Sequence, residues 1–137
     1  MSSAPIASEA RTYIDGSAFV KLLIDEAESE PLARFLQLEP RRLVASAVLE
    51  VEVTRVVRAV GVDVSAAVAE LEMIDVVEIT RAIRRIAGSL DPPALRTLDA
   101  IHLATAIESG VGDILVYDRR LAEAAAAHGL TALSPGA

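Results

Sequence analysis

The sequence predicts a single α/β domain built on a mostly parallel sheet, and two patterns in its 137 residues carry that prediction. Short β-branched or apolar runs, "RTYID", "RLVAS", "MIDVVEI", "DILVYD" and "LTAL", recur along the chain. Between them lie stretches whose apolar residues repeat at helical spacing. Strands alternating with helices in this way imply parallel pairing and a layered α/β fold.

The elements follow in order. "MSSAPIASEA" (1–10) reads as a loose leader, and residues 11–137 read as one domain with no repeat or linker. A strand over 11–15 leads into a helix over 17–26, and Pro31 opens a helical stretch over 31–38. "RLVAS" (42–46) is a short strand. From Ala47 to Val60 the positions Leu49, Val53, Val56, Val57 and Val60 keep helical spacing, and Gly61 ends the run. A helix over 64–72 precedes the strand "MIDVVEI" (73–79), and a further helix covers 80–90. "DPP" (91–93) interrupts. A long helix then runs from Thr97 to Ser109 and is closed by Gly110. "DILVYD" (113–118) is a strand, 119–128 a helix stopped by Gly129, and "LTAL" (130–133) the last strand.

Composition narrows the function. The chain has no cysteine, which excludes disulfides, zinc-thiolate sites and thiol nucleophiles. Its net charge of −7 argues against nucleic-acid binding through a simple basic surface. Lys21 is the only lysine among 13 basic residues, and the arginines that remain suit bidentate recognition of carboxylate or phosphate. No apolar run approaches the ~20 residues that span a bilayer, and no secretion signal opens the chain, so the cytoplasm is the expected compartment. At 53% apolar residues, a domain this small is expected to bury surface against a second copy or a partner.

The acids fall where chemistry is expected. In open parallel sheets, ligands bind beyond the carboxyl ends of the strands, where the strand order reverses. Asp15 ends the first strand and Asp118 ends "DILVYD", so both should emerge there. Asp99 opens the long helix, which is mostly apolar and carries the polar stripe Asp99, His102, Thr105 and Ser109. Each acid also has a plainer role: Asp15 and Asp118 as helix caps, Asp99 as a first-turn acid favoured by the helix dipole. Crowded carboxylates repel one another, and oxygen-rich sites of this kind suit Mg²⁺ or Mn²⁺. A fourth acid is expected from the 47–60 helix, where Glu50 and Glu52 flank the apolar stripe symmetrically and periodicity does not choose between them. The plainer role for Glu52 is an ion pair with Arg55.

Four segments, "YIDGSAFVKLL", "SAVLEVEVTRVVRA", "LRTLDAIHLATAIESG" and "LVYDRRLAEAAAAHGL", resemble in order and spacing the four acidic motifs of the PIN domain. The likeness covers nearly the whole chain after residue 11 and is greatest to the VapC toxins of bacterial and archaeal toxin–antitoxin systems. It implies a three-layer α/β/α sandwich with strand order 3-2-1-4-5. By motif position the acidic quartet is Asp15, Glu52, Asp99 and Asp118; Glu52 is chosen because the family's acid follows the residue matched by Ser46 by six positions. Ser17 matches a hydroxyl that supports the first acid.

The resemblance implies metal-dependent hydrolysis of RNA phosphodiesters, with Mg²⁺ or Mn²⁺ held by Asp15 and Asp99 and, directly or through water, by Glu52 and Asp118. It also implies a homodimer and a VapB-like antitoxin. Arg55, Arg96, Arg119 and Arg120 stand near the acids in sequence as candidate phosphate guides, with surface ion pairing as the alternative. His102 is expected to pack or hydrogen-bond in its stripe, and His128 to sit at a helix C-terminus. Two departures from the family pattern are Gly16, where Thr is usual, and Val116, where Thr or Ser is often found. The missing hydroxyls are expected to loosen ligand orientation or metal affinity, while Gly16 is expected to let the backbone turn tightly. A receiver domain would want paired acids and a late lysine, and a haloacid-type phosphatase would want an acid at position 17. The stronger alternative is a catalytically silent PIN fold serving as an RNA-binding or interaction module.

Overall fold

Tyr13 pairs with Val44 on one side and Ile114 on the other, which puts the first strand in the middle of the sheet. The computed structural model describes residues 10–137, so the expected leader lies outside the described residues except for Ala10. The strands are β1 (Arg11–Ile14), β2 (Arg42–Ser46), β3 (Asp75–Val77), β4 (Asp113–Leu115) and β5 (Thr131–Leu133). They pair in parallel in the order β3-β2-β1-β4-β5, as the resemblance implies. The helices are α1 (Gly16–Phe19), α2 (Ser29–Leu38), α3 (Val48–Val60), α4 (Val64–Leu71), α5 (Arg81–Ser89), α6 (Thr97–Ser109) and α7 (Arg119–Ala127).

Successive residues of a strand point to opposite faces, and here both faces are covered. Ile14, Ala45 and Leu115 pack with Phe19, Leu32, Leu49, Val53 and Val57 under α1 to α4. Tyr13, Val44 and Ile114 pack with Leu103, Ala106, Leu121 and Ala125 under α6 and α7. That alternation makes the three-layer sandwich. Gly61 (φ 81°) and Gly110 (φ 74°) end α3 and α6 in the left-handed conformation that a side chain disfavours.

Three elements are shorter than the sequence implies, each for a local reason. The expected helix over 17–26 is only α1 plus a 3-10 turn over Val20–Leu22. Ser29 Oγ donates to Ile24 O and accepts from Glu26 N, both at 2.9 Å, and these bonds turn the chain out of the helix. The expected strand over 113–118 pairs only to Leu115, with one further bond from Val116 N to Leu133 O. Beyond it the Tyr117 and Asp118 N–H groups turn to Ser17 Oγ. At the sheet edge, β3 keeps only Asp75–Val77 of the expected 73–79, because its register with Val44–Ser46 ends there.

Candidate active site

Four acids from four separate elements meet beyond the carboxyl ends of β1 and β4, the two neighbours at which the strand order reverses. Asp15, Glu52, Asp99 and Asp118 line one cleft of about 290 Å³ together with Ser17, Arg96, Leu98 and His102. A larger groove of about 670 Å³ between α5 and α6 contains none of the four.

Asp15 follows β1 directly and caps α1. Its Oδ1 accepts from Ala18 N at 3.0 Å, and Ser17 Oγ lies 2.7 and 2.9 Å from its two oxygens. The cap reading and the cleft reading therefore both hold for this residue. Asp15 is only 4% exposed. Burial raises its pKa to about 6 against the pull of Ser17, His102 and Ala18, so its charge is held at a cost that a nearby cation would relieve.

Ser17 also accepts from Tyr117 N at 2.9 Å and Asp118 N at 3.3 Å, so one hydroxyl ties the end of β1 to the end of β4. Asp118 caps α7 through Leu121 N at 3.0 Å, and its other oxygen faces the cleft. Asp99 lies in the first turn of α6 and is 8% exposed. The Arg96 guanidinium stands between Asp99 and Asp118, 3.4 Å from each.

Glu52 is turned to the cleft, while Glu50 on the same helix is exposed, a choice that periodicity left open. Its hydrogen-bond partner is His102, whose Nε2 is 2.5 Å from Glu52 Oε1, rather than Arg55. His102 Nδ1 is 2.6 Å from Tyr13 Oη, which in turn accepts from Ser46 N at 3.0 Å. Burial raises the Tyr13 phenol well above its ordinary pKa, and Thr105 lies beside it. Tyr13 and His102 are fully buried, and His102 reaches the cleft only through its edge. Sequence placed His102 in the polar stripe but gave no sign of Tyr13, which reads as an ordinary strand aromatic.

Gly16 is a correction. It lies in α1 and is not among the glycines with positive φ, so no tight turn requires it. A Cβ there would stand 2.8 Å from Glu52 Oε2, so the missing side chain makes room for that carboxylate. Of the candidate arginines only Arg96 lines the cleft; Arg55, Arg119 and Arg120 are exposed outside it. Val116 is buried against the α6–α7 face. His128 ends α7, as expected, with Nδ1 2.8 Å from Ala124 O.

The donor chemistry fits a hard divalent cation: carboxylate oxygens and one hydroxyl, with no sulfur. Among the described residues no three His, Asp or Glu side chains are already gathered around one ion-sized point. The Arg96 guanidinium, a cation itself, stands between two of the acids.

The chain resembles known proteins along most of its length. The PIN domain family model matches residues 12–127. Ribonuclease VapC35 of Mycobacterium tuberculosis is 43% identical over 130 residues, which is 90% of this chain and 96% of that protein. Ribonuclease VapC46 of the same species is 40% identical over 129 residues, 92% of this chain and 98% of that protein. Among solved structures, M. tuberculosis VapC20, described as a sarcin-ricin loop cleaving toxin, superposes with a TM-score of 0.73 at 18% identity, covering 90% of this chain and 99% of its own. A toxin–antitoxin complex from Klebsiella pneumoniae gives 0.71 at 17% identity, covering 90% and 97%. At those identities the two structures speak for the fold alone. The matched family model and the VapC relatives make the chain a member of the PIN-domain family.

Proposed function

We propose that this protein is a divalent-metal-dependent ribonuclease that acts as the toxin of a toxin–antitoxin pair. The observation that carries it is the convergence of Asp15, Glu52, Asp99 and Asp118 on one cleft, with Asp15 almost fully buried there. Asp15 and Asp99 would hold Mg²⁺ or Mn²⁺, and Glu52 and Asp118 would complete the site directly or through water. When bound, such an ion acts as a Lewis acid on the phosphate and makes water a nucleophile at neutral pH. The chain's own part is orientation. Ser17 and the Ala18 N–H fix the Asp15 carboxylate, and the Leu121 N–H fixes Asp118. Arg96, exposed over most of its side chain, would be available to an RNA phosphate if a cation took its place beside the acids.

The test is cleavage of a mixed cellular RNA pool by purified protein freed of any antitoxin, with Mg²⁺ or Mn²⁺. EDTA and an Asp99→Asn variant run alongside. Cutting lost in both controls supports the assignment; cutting that survives Asp99→Asn removes these acids from the chemistry. A second reading, a silent RNA-binding module, is favoured by one observation, the Arg96 guanidinium already between Asp99 and Asp118. Metal-loaded protein that binds RNA without cutting it selects that reading.

The similar Klebsiella pneumoniae structure, a toxin–antitoxin complex, suggests a partner. Val56 and Val60 of α3 and Val68 of α4 are exposed apolar residues of the kind that a second copy or an antitoxin would cover. We assign the protein to the cytoplasm as a homodimer bound by a VapB-like antitoxin; among the described residues no helix is long and apolar enough to cross a membrane. Light scattering of the purified chain tests the dimer, and co-purification with the product of a neighbouring gene tests the antitoxin.

A further inference from the structure

The cleft is backed by a chain of hydrogen bonds that runs across four elements. It starts at the Ser46 N–H, passes through the Tyr13 hydroxyl in β1 and His102 in α6, and ends on Glu52 in α3. We infer that Tyr13 and His102 are positioning residues that hold the Glu52 carboxylate in the orientation the site needs.

One direction of the chain uses every donor and acceptor in it. Tyr13 Oη accepts from Ser46 N at 3.0 Å, so its own proton is free to donate, and His102 Nδ1 lies at 2.6 Å. With Nδ1 as acceptor, the remaining proton of a neutral imidazole sits on Nε2, which donates to Glu52 Oε1 at 2.5 Å. In this arrangement neither ring nitrogen is left to take a proton from water, and His102 serves as a positioning group rather than a general base. The ring is fixed edge-on against Tyr13, with centroids 5.7 Å apart and planes at 73°. The other side of Glu52 is bounded by the Gly16 backbone, where a Cβ would stand 2.8 Å from Oε2. The carboxylate is thus held between a donor and a gap. A ligand's outer partners commonly set its orientation, and their loss costs roughly 10–100-fold in metal affinity or activity.

This role rests on the proposed metal-dependent nuclease, and the test separates the two. Nitrogen-15 NMR of the wild type at one pH reads the His102 tautomer without any substitution. Protonated Nε2 with bare Nδ1 is expected; a proton on Nδ1 overturns the chain of bonds. Mn²⁺ binding by calorimetry and RNA cleavage are then measured for His102→Leu, His102→Gln and Tyr13→Phe, each first shown to be folded by circular dichroism. His102→Leu is expected to weaken Mn²⁺ binding and lower kcat by roughly 10–100-fold with little change in KM. His102→Gln, which keeps an N–H donor at the reach of Nε2, is expected to recover most of that loss, and Tyr13→Phe to fall between them. In a Glu52→Gln background, His102→Leu is expected to change Mn²⁺ affinity less than about twofold, because its effect passes through Glu52. Folded variants with unchanged Mn²⁺ affinity and kcat overturn the positioning role alone, as does a His102→Gln no better than His102→Leu. Wild type that neither binds Mn²⁺ nor cuts RNA overturns the nuclease and this role together.

Discussion

A side-chain carbon on Gly16 would stand 2.8 Å from Oε2 of Glu52, inside any permitted contact. The obstructing atom is the end of a flexible side chain, so Glu52 can move and the fold can survive. Gly16→Ala is therefore expected to change stability by no more than about 1 kcal/mol, with the helix preference of Ala offsetting the crowding. Its effect should instead appear in the cleft, as loss of RNA cleavage on the order of tenfold or more. Thermal melts and initial cleavage rates on the same preparations check it; a variant as active as wild type would show that Glu52 need not stand there.

Ser17→Ala removes the hydroxyl that serves the Asp15 carboxylate and takes up the Tyr117 N–H. A hydrogen bond to a charged group contributes about 1.5–3 kcal/mol, so denaturant unfolding at pH 7.5 should report a loss in that range. The Ser17 bond opposes the upward shift of Asp15, so its removal raises that pKa further. The loss should accordingly be smaller at pH 4, where the acid is largely protonated. An equal loss at both values would assign it to the backbone contact with Tyr117.

Asp15 makes metal-free stability depend on pH in a definite sense. Its folded pKa, about 6, exceeds its ordinary 3.8, so the folded state binds the proton more tightly. That contribution is complete below about pH 3.8 and is lost as pH rises through about 6, a change on the order of 3 kcal/mol. Asp15→Asn cannot ionise and can still cap α1. In EDTA its stability should rise relative to wild type between pH 4 and pH 7. Asp75, held low by Arg42, and Asp63, held low by the Ser65 N–H, act in the opposite sense and cancel in this comparison. A constant difference across the range would contradict the buried charge.

The same charge sets the response to metal. Mn²⁺ should raise the melting temperature of wild type more at pH 7.5 than at pH 5, since the ion binds the ionised carboxylate. Asp15→Asn should lose most of that difference. Equal stabilisation of both proteins at both values would place the ion elsewhere.

Arg96 is 63% exposed on its side chain and makes only 3.4 Å contacts, so its ion pairs contribute at most about 1 kcal/mol. Arg96→Gln should leave the melting temperature nearly unchanged. It should bind Mn²⁺ more tightly, because a competing cation is gone, and RNA more weakly, because a phosphate partner is gone. Calorimetry with Mn²⁺ and filter binding with RNA separate the two effects; weaker Mn²⁺ binding would mean that Arg96 orders the acids rather than competing for them.

The sequence by itself determined the alternation of strands and helices, because periodicity and glycine stops are local. The run from Thr97 to Ser109 closed by Gly110 is legible without any tertiary information. So are the placements of Asp15 directly after β1 and of Asp118 as the cap of α7, since a strand boundary and a cap are written in neighbouring residues. Element lengths were less legible where side chains competed for backbone bonds, as Ser29 does at Ile24 and Ser17 at Tyr117. The choice of Glu52 over Glu50 came from the family motif, and only packing shows why: α3 turns one acid to the cleft and leaves the other in water. The partnership of Tyr13, His102 and Glu52 spans up to 89 positions along the chain. No local pattern encodes it, because such bonds depend on which helix layer the sheet brings over which strand, and that is decided only when the three layers close.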